Sequence, residues 1–260
     1  MLVRESGTVS RKRSLDVDET MIRALVIAAA GMIVAQASCA GSMIPGAGDN
    51  WDVSPVICEA CKDITNWSDC AVAAENAFLA QSPEVQRTER GLEITLSDGK
   101  PLFFEGNESG GDSYLAFRYL GVVRPLAFHL LLMSGSEWWT YVMVHRKNGN
   151  QARMDSFPVV SPDARRVVTA AINELGNFQN RLQIWSVEED SLALEMVLFP
   201  EEIDHPNPTI EAWGVERPRW RGDLAIEVQA RAVRRDEYSR RVFFDTTAVF
   251  VRRDGKWMLK

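Results

Sequence analysis

Between Leu92 and Leu259 the chain repeatedly alternates apolar and polar residues, the period that places every second side chain on one face of a strand. Leu92-Glu-Ile-Thr-Leu96 is the first such run, followed by Asp98-Gly99 and then Pro101–Phe104. Tyr141–Lys147 turns at Asn148-Gly149 into Gln151–Met154, and Phe243–Arg253 turns at Asp254-Gly255 into Lys256–Leu259. Asp-Gly and Asn-Gly tolerate the positive φ angles of a type I′ turn, so each of the three pairs reads as a tight hairpin. Phe128–Met133, Trp138–Val144, Arg181–Val187, Leu192–Phe199 and Asp223–Val233 supply further strands, the last placing Leu224, Ile226, Val228, Ala230 and Ala232 on one face. Ser134–Glu137 is the turn between the first two of these. The fold class expected is mainly β: antiparallel hairpins forming a partial propeller or a sandwich or barrel, with one N-terminal α-helix.

That helix is expected over about Ser68–Gln81, where Ala71, Val72, Ala74, Ala77, Phe78 and Leu79 give an apolar stripe. Ser68 or Asp69 caps it and Pro83 stops it. Ahead of it, Ala24–Ala35 is uninterrupted by charge, too short to cross roughly 30 Å of hydrocarbon but of signal-peptide length. Arg23 precedes the run and Ala35-Gln36-Ala37 offers the small residues that signal peptidase accepts. Residues 1–37 are therefore expected to be a leader. Its start is expected at Met21, because basic and acidic residues balance upstream of it. Residues 38–56, rich in Gly, Ser and Pro, read as a linker, and 57–260 as a single β-rich domain. At Pro200–Pro218 four prolines predict a surface loop in place of a central strand.

Phe157-Pro-Val-Val-Ser-Pro-Asp-Ala-Arg-Arg-Val-Val-Thr169, followed by Arg181-Leu-Gln-Ile-Trp-Ser-Val187, resembles the strand–turn–strand of TolB-like and WD40-like β-propeller blades. Ser161-Pro162-Asp163 has turn chemistry, Pro fixing φ and Asp bonding its own backbone. Ala164 stands where the blade pattern prefers Gly. Arg217–Val228 is a weaker echo about 60 residues on, beyond the usual blade period of about 40–45. The resemblance covers about residues 141–230 and implies blade-like β structure in an exported bacterial protein. It implies no activity, since propellers host binding and catalysis alike.

Export bears on Cys39, Cys58, Cys61 and Cys70, which it places in an oxidising space as disulfide candidates. Cys70 is expected to pair with Cys58 or Cys61. Ala37-Ser38-Cys39-Ala40 also resembles a lipobox, which would make Cys39 a lipidation site and leave three cysteines to pair. The net charge of −7 excludes general affinity for nucleic acid, and the first 37 residues, with five basic and four acidic groups, do not change that.

No nucleophile elbow, phosphate-binding loop, dinucleotide fingerprint or His-Glu-x-x-His is present, so no catalytic residue, metal or cofactor is assigned. Of three histidines, His129 and His145 lie in strand patterns, and His205 lies beside Asp204 in the proline loop. The candidate binding surface comprises Trp138 and Trp139, whose side chains point to opposite faces, His205, and the basic pairs Arg234-Arg235 and Arg240-Arg241. The expected role is an exported, non-catalytic module of the periplasm or cell surface that binds an envelope protein or polymer. Contact with the membrane is expected only through a lipid anchor at Cys39. The alternatives are an envelope hydrolase or metal-dependent enzyme with a site near Asp204 and His205, and a small inhibitor of an envelope enzyme.

Overall fold

The computed structural model describes residues 55–109, 111–172, 180–203 and 209–260. The leader, Cys39, most of the linker, Asp204 and His205 lie outside the described residues.

Two helices open the described chain, α1 (Pro55–Cys61) and α2 (Trp67–Leu79). The apolar stripe announced the second but not the first. Asn66 caps α2, its side-chain oxygen accepting the Ser68 N–H at 2.8 Å, in place of the expected Ser68 or Asp69. A disulfide joins Cys61 to Cys70, whose Cα atoms are 4.9 Å apart, and ties one helix to the other. Cys58 is likewise disulfide-bonded.

Four antiparallel sheets follow, as the hydrophobic pattern predicts. The first holds β1 (Val85–Thr88), β2 (Gly91–Thr95) and β3 (Pro101–Glu105). The second holds β4 (Leu115–Val123), β5 (Phe128–Gly135), β6 (Trp139–His145) and β7 (Gln151–Met154). β8 (Val159–Val160), β9 (Arg166–Ala171), β10 (Arg181–Val187) and β11 (Leu192–Leu198) form the third. The fourth holds β12 (Ile210–Trp220), β13 (Ala225–Arg235), β14 (Arg241–Arg253) and β15 (Lys256–Leu259). Strands in every sheet are adjacent in chain order, a meander that a partial propeller and a sandwich share.

Turn chemistry divides the three hairpins. At Asp254-Gly255 both residues have positive φ, 50° and 79°, as a type I′ turn requires. The other two depart from that expectation: only Gly99 and Gly149 are left-handed. There Asp98 and Asn148 accept the backbone N–H two residues on, from Lys100 at 3.1 Å and Asn150 at 2.9 Å. These are side-chain-closed turns. Ala164 also takes a positive φ, 58°, so the alanine in the blade-like turn keeps a glycine-like backbone. The Pro200–Pro218 loop is corrected as well. β12 begins at Ile210 and contains Pro218, which the sheet accepts because β12 is an edge strand and its register shifts between Glu216 and Arg219.

Two hydrophobic cores lie on either side of the third sheet. Val160 and Val167 point into one, with the helices and β4–β6, while Val159 and Val168 point into the other, with Trp213, Ile226, Val228 and Phe250. The doubled valines of β8 and β9 are thus buried on both faces, which explains their continuous apolar run.

One carboxylate anchors the helices to the second sheet. Glu75 of α2 is only 4% exposed. Its Oε1 accepts the Tyr119 N–H at 2.9 Å and a hydrogen bond from Arg87 Nη2, which also donates to the Phe117 carbonyl. Tyr119 and Phe117 lie on β4, the outer strand of its sheet. Arg118, also on β4, grips Glu108 with both terminal nitrogens at 2.6 and 2.5 Å, and this hydrogen-bonded pairing holds the Glu108 carboxyl below its usual range.

Glu75→Ala leaves the Tyr119 N–H without its acceptor and Arg87 with only the Phe117 carbonyl and the more distant Glu108, and unfolding stability is expected to fall by about 3 kcal/mol. Urea denaturation measures it, with Glu75→Gln expected to lose less because the amide oxygen still accepts from Tyr119. Equal loss in both variants would show that the charge, not the acceptor, carries the contact.

Candidate functional site

Beyond Tyr119 the edge of β4 changes character. The register with β5 slips by one residue between Tyr119 and Val122, so Tyr119 opposes Leu131 while Val122 opposes His129. Such bulges re-aim a strand and are common beside binding sites. Gly121 sits at φ +94°, and a Cβ there would lie 2.7 Å from the Phe78 ring. Only glycine lets that ring lie against the strand.

Leu120–Arg124 line a cavity of about 600 Å³, within the range typical of ligand pockets. Its walls come from both faces of the sheet. Ile57, Phe78 and Ser82 close one side, and Leu130, Phe157 and Val160 the other. Glu84, Arg124 and Arg146 supply its charges. Arg146 Nη2 donates to Glu84 Oε1 at 3.3 Å, while Arg146 Nε is buried with no acceptor among the described residues. The Arg146 backbone is pinned on both sides, its N–H to Ala127 O at 2.9 Å and its carbonyl to Ser97 N–H at 2.8 Å.

Behind this wall lies a buried polar chain. Tyr119 is fully enclosed and its hydroxyl lies 3.1 Å from His129 Nδ1. Burial raises the Tyr119 pKa to about 12 and lowers that of His129 to about 4, Arg146 adding to the second effect and Glu84 opposing it. At neutral pH the phenol is protonated and the imidazole neutral, and the two share one hydrogen bond whose direction is set by the imidazole tautomer. His129 is only 1% exposed, and its Nδ1 faces a phenol rather than a nucleophile or an orienting carboxylate. The group sets the geometry of the wall and is not arranged as a base–nucleophile pair.

A second concavity of about 540 Å³ lies on the first sheet, between Gly91–Leu92 and Phe103–Phe104. It is more apolar, and Phe103 at its rim is 60% exposed.

The sequence-assigned surface residues that are described do not converge on either concavity. Trp138, in the β5–β6 turn, lies flat on Gly135, where an added Cβ would meet its Nε1 at 2.3 Å. Trp139 is half-buried against the first core. The arginines gather on another sheet, at the β13–β14 turn. Arg234 stacks over Phe244 at 5.2 Å and Arg240 over Tyr238 at 5.0 Å. Arg240 also pairs with Asp236 at 2.8 Å, Arg235 donates to Ser239 O at 3.0 Å, and Arg241 lies opposite Arg235 in the register. Tyr238 and Phe243 are 70% and 68% exposed beside them. His145 is buried, its Nδ1 2.9 Å from Asn148 Oδ1. No group of three metal-ligating side chains occurs among the described residues.

Sequence reasoning missed the cavity residues Ser82, Glu84 and Arg146, and Tyr119 behind them. Gly121 within an apolar run was the one local signal, since an isolated strand glycine marks a bulge or a close approach.

The His129 shift has a defined pH signature. Above about pH 6.5 the imidazole is neutral in folded and unfolded chains alike. As pH falls toward 4 the unfolded chain takes up a proton that the folded one does not, so stability drops, by up to about 3 kcal/mol. Urea midpoints between pH 7 and 4.5 are expected to fall more steeply for the wild type than for His129→Gln; parallel slopes would assign the acid sensitivity elsewhere.

Searches of protein-family models, of curated proteins and of solved structures each returned no match to this chain.

Proposed function

We propose that the protein is an exported, non-catalytic binding module of the bacterial cell envelope, and that its ligand, an envelope protein or polymer, enters the cavity beside β4. The observation that carries this reading is the cavity itself: mixed apolar and charged walls, a buried arginine nitrogen without an acceptor, and a neutral Tyr119–His129 pair behind. Among the described residues that line it none is an activated nucleophile, and we read the site as one that recognises. The Cys61–Cys70 disulfide and the bonded state of Cys58 support an oxidising location.

Secretion and lipid anchoring at Cys39 are separated by mass. The intact mass of the processed protein is expected to match a chain beginning at Ser38 with no acyl increment; a mass carrying acyl chains on Cys39 would establish the lipoprotein instead.

A second surface has its own support, the β13–β14 hairpin with exposed Tyr238 and Phe243 beside its arginines. Co-sedimentation with isolated envelope separates the two. Gln81 is exposed at the cavity wall, so Gln81→Trp fills the mouth without entering a core. Retention is expected to fall at least tenfold in Gln81→Trp and to persist in Phe243→Ser. The reverse pattern would move the site to the hairpin, and no retention of the wild type would overturn the reading.

A further inference from the structure

An edge strand presents a row of unpaired backbone groups, and proteins cover them. The covering of β4 is unusual in being piecemeal and in stopping part way. Leu115 is met by Asn107, with N–H to carbonyl bonds of 2.7 and 3.1 Å in the two directions. Two residues on, the Phe117 carbonyl is met by Arg87. Two further on, the Tyr119 N–H is met by Glu75 at 2.9 Å. The period of two identifies these as the outward-facing positions of the strand. One bridge and two side chains thus stand where a neighbouring strand would run. After Tyr119 the substitution ends: among the described residues, nothing outside the β4–β5 ladder bonds to the backbone of Leu120–Val123. The cavity begins there.

We propose that the open edge at Leu120–Val123 accepts a short extended peptide carrying an acidic group, which adds to the second sheet as a strand. The proposal rests on the cavity being the ligand site and specifies what fills it. A strand directs alternate side chains to opposite faces, and the cavity offers a wall on each: Phe78 and Ser82 on the Tyr119–His129 face, Leu130 and Phe157 on the other. Strand addition gains affinity from main-chain hydrogen bonds and specificity from such alternating pockets. The four residues from Leu120 to Val123 span about 13 Å at strand rise, and Asn107, Arg87 and Glu75 already occupy the edge from Leu115 to Tyr119. The occupant is therefore short. Charge gives the rest: Arg124 and Arg146 line the cavity against the single carboxylate of Glu84. An acidic side chain or a free C-terminal carboxylate balances that excess.

The test uses the purified protein and a panel of fluorescein-labelled hexapeptides that alternate valine and threonine, with one aspartate walked through the six positions. 8-Anilinonaphthalene sulfonate serves as an independent probe of the cavity. At least one peptide is expected to bind in the micromolar range by anisotropy. N-methylation of alternate backbone amides is expected to weaken it tenfold or more, with the intervening amides indifferent. Arg124→Ser, at an exposed position that leaves the fold intact, is expected to weaken it three- to tenfold, and Gln81→Trp to abolish it. Entry of the sulfonate dye without peptide binding, or peptide binding indifferent to N-methylation, would overturn strand addition while leaving the cavity as a ligand site. Failure of both dye and peptides would overturn the cavity reading as well.

Discussion

The Glu75 carboxylate carries a constraint on which the surrounding structure depends. An ionised group at this depth is costly unless it is paired and hydrogen-bonded. Here it meets a guanidinium and a backbone N–H together, and the guanidinium reaches on to a carbonyl of the same strand. The two side chains close a circuit with the edge of β4 that resembles a piece of ladder. That circuit fixes where α2 lies on the sheet. Phe78, one turn further along α2, then falls edge-on against Tyr119 with centroids 6.4 Å apart, and over Gly121. The wall of the cavity is set by a contact made outside it.

The same logic orders the layers. The third sheet has no face to give to solvent along β8 and β9, because successive valines supply the two cores in turn. Trp220 strengthens one side by donating its indole N–H to the Val159 carbonyl at 2.9 Å. Glu195 strengthens another, accepting from Arg166 of β9 at 2.9 Å and from Arg252 of β14 at 2.8 Å. Burial on both faces writes a continuous apolar run into the local sequence, and that run reports the burial before it reports the overall architecture.

What the sequence discloses follows the range of the interaction. Asp254-Gly255 announces its turn because the positive φ angles concern two adjacent residues. The alternation of Ile226, Val228, Ala230 and Ala232 announces one buried face, and all four are buried. Leu224, assigned to that face, lies before the strand and is 53% exposed, since alternation does not say where pairing starts. Pro218 misled because its effect depends on strand position: it is forbidden in a central strand and tolerated at a bulged edge. Glu75 was illegible for a further reason. On a helix an acid reads as a solvated face, and its partners lie 12 and 44 residues away. Tyr119 and His129 are closer in sequence but meet only through the β4–β5 hairpin. The basic hairpin was legible as a cluster, yet Arg240 is matched by Asp236, a pairing that charge counts alone do not resolve.

These distances also bear on how a binding role would be maintained. The covered half of β4 requires Glu75 and Arg87, which come from a helix and from another sheet. The open half requires Gly121, since a side chain there would collide with Phe78. Covering and opening are therefore separable. A change at Glu75 weakens the attachment of α2, whereas a change at Gly121 displaces the ring that walls the cavity. An edge left open by neglect would need neither the bulge nor the glycine. A bulge that turns the strand, a glycine that admits an aromatic ring, and an arginine short of one acceptor meet around one cavity. That coincidence is the reason the proposed site is the cavity and not the more exposed hairpin arginines.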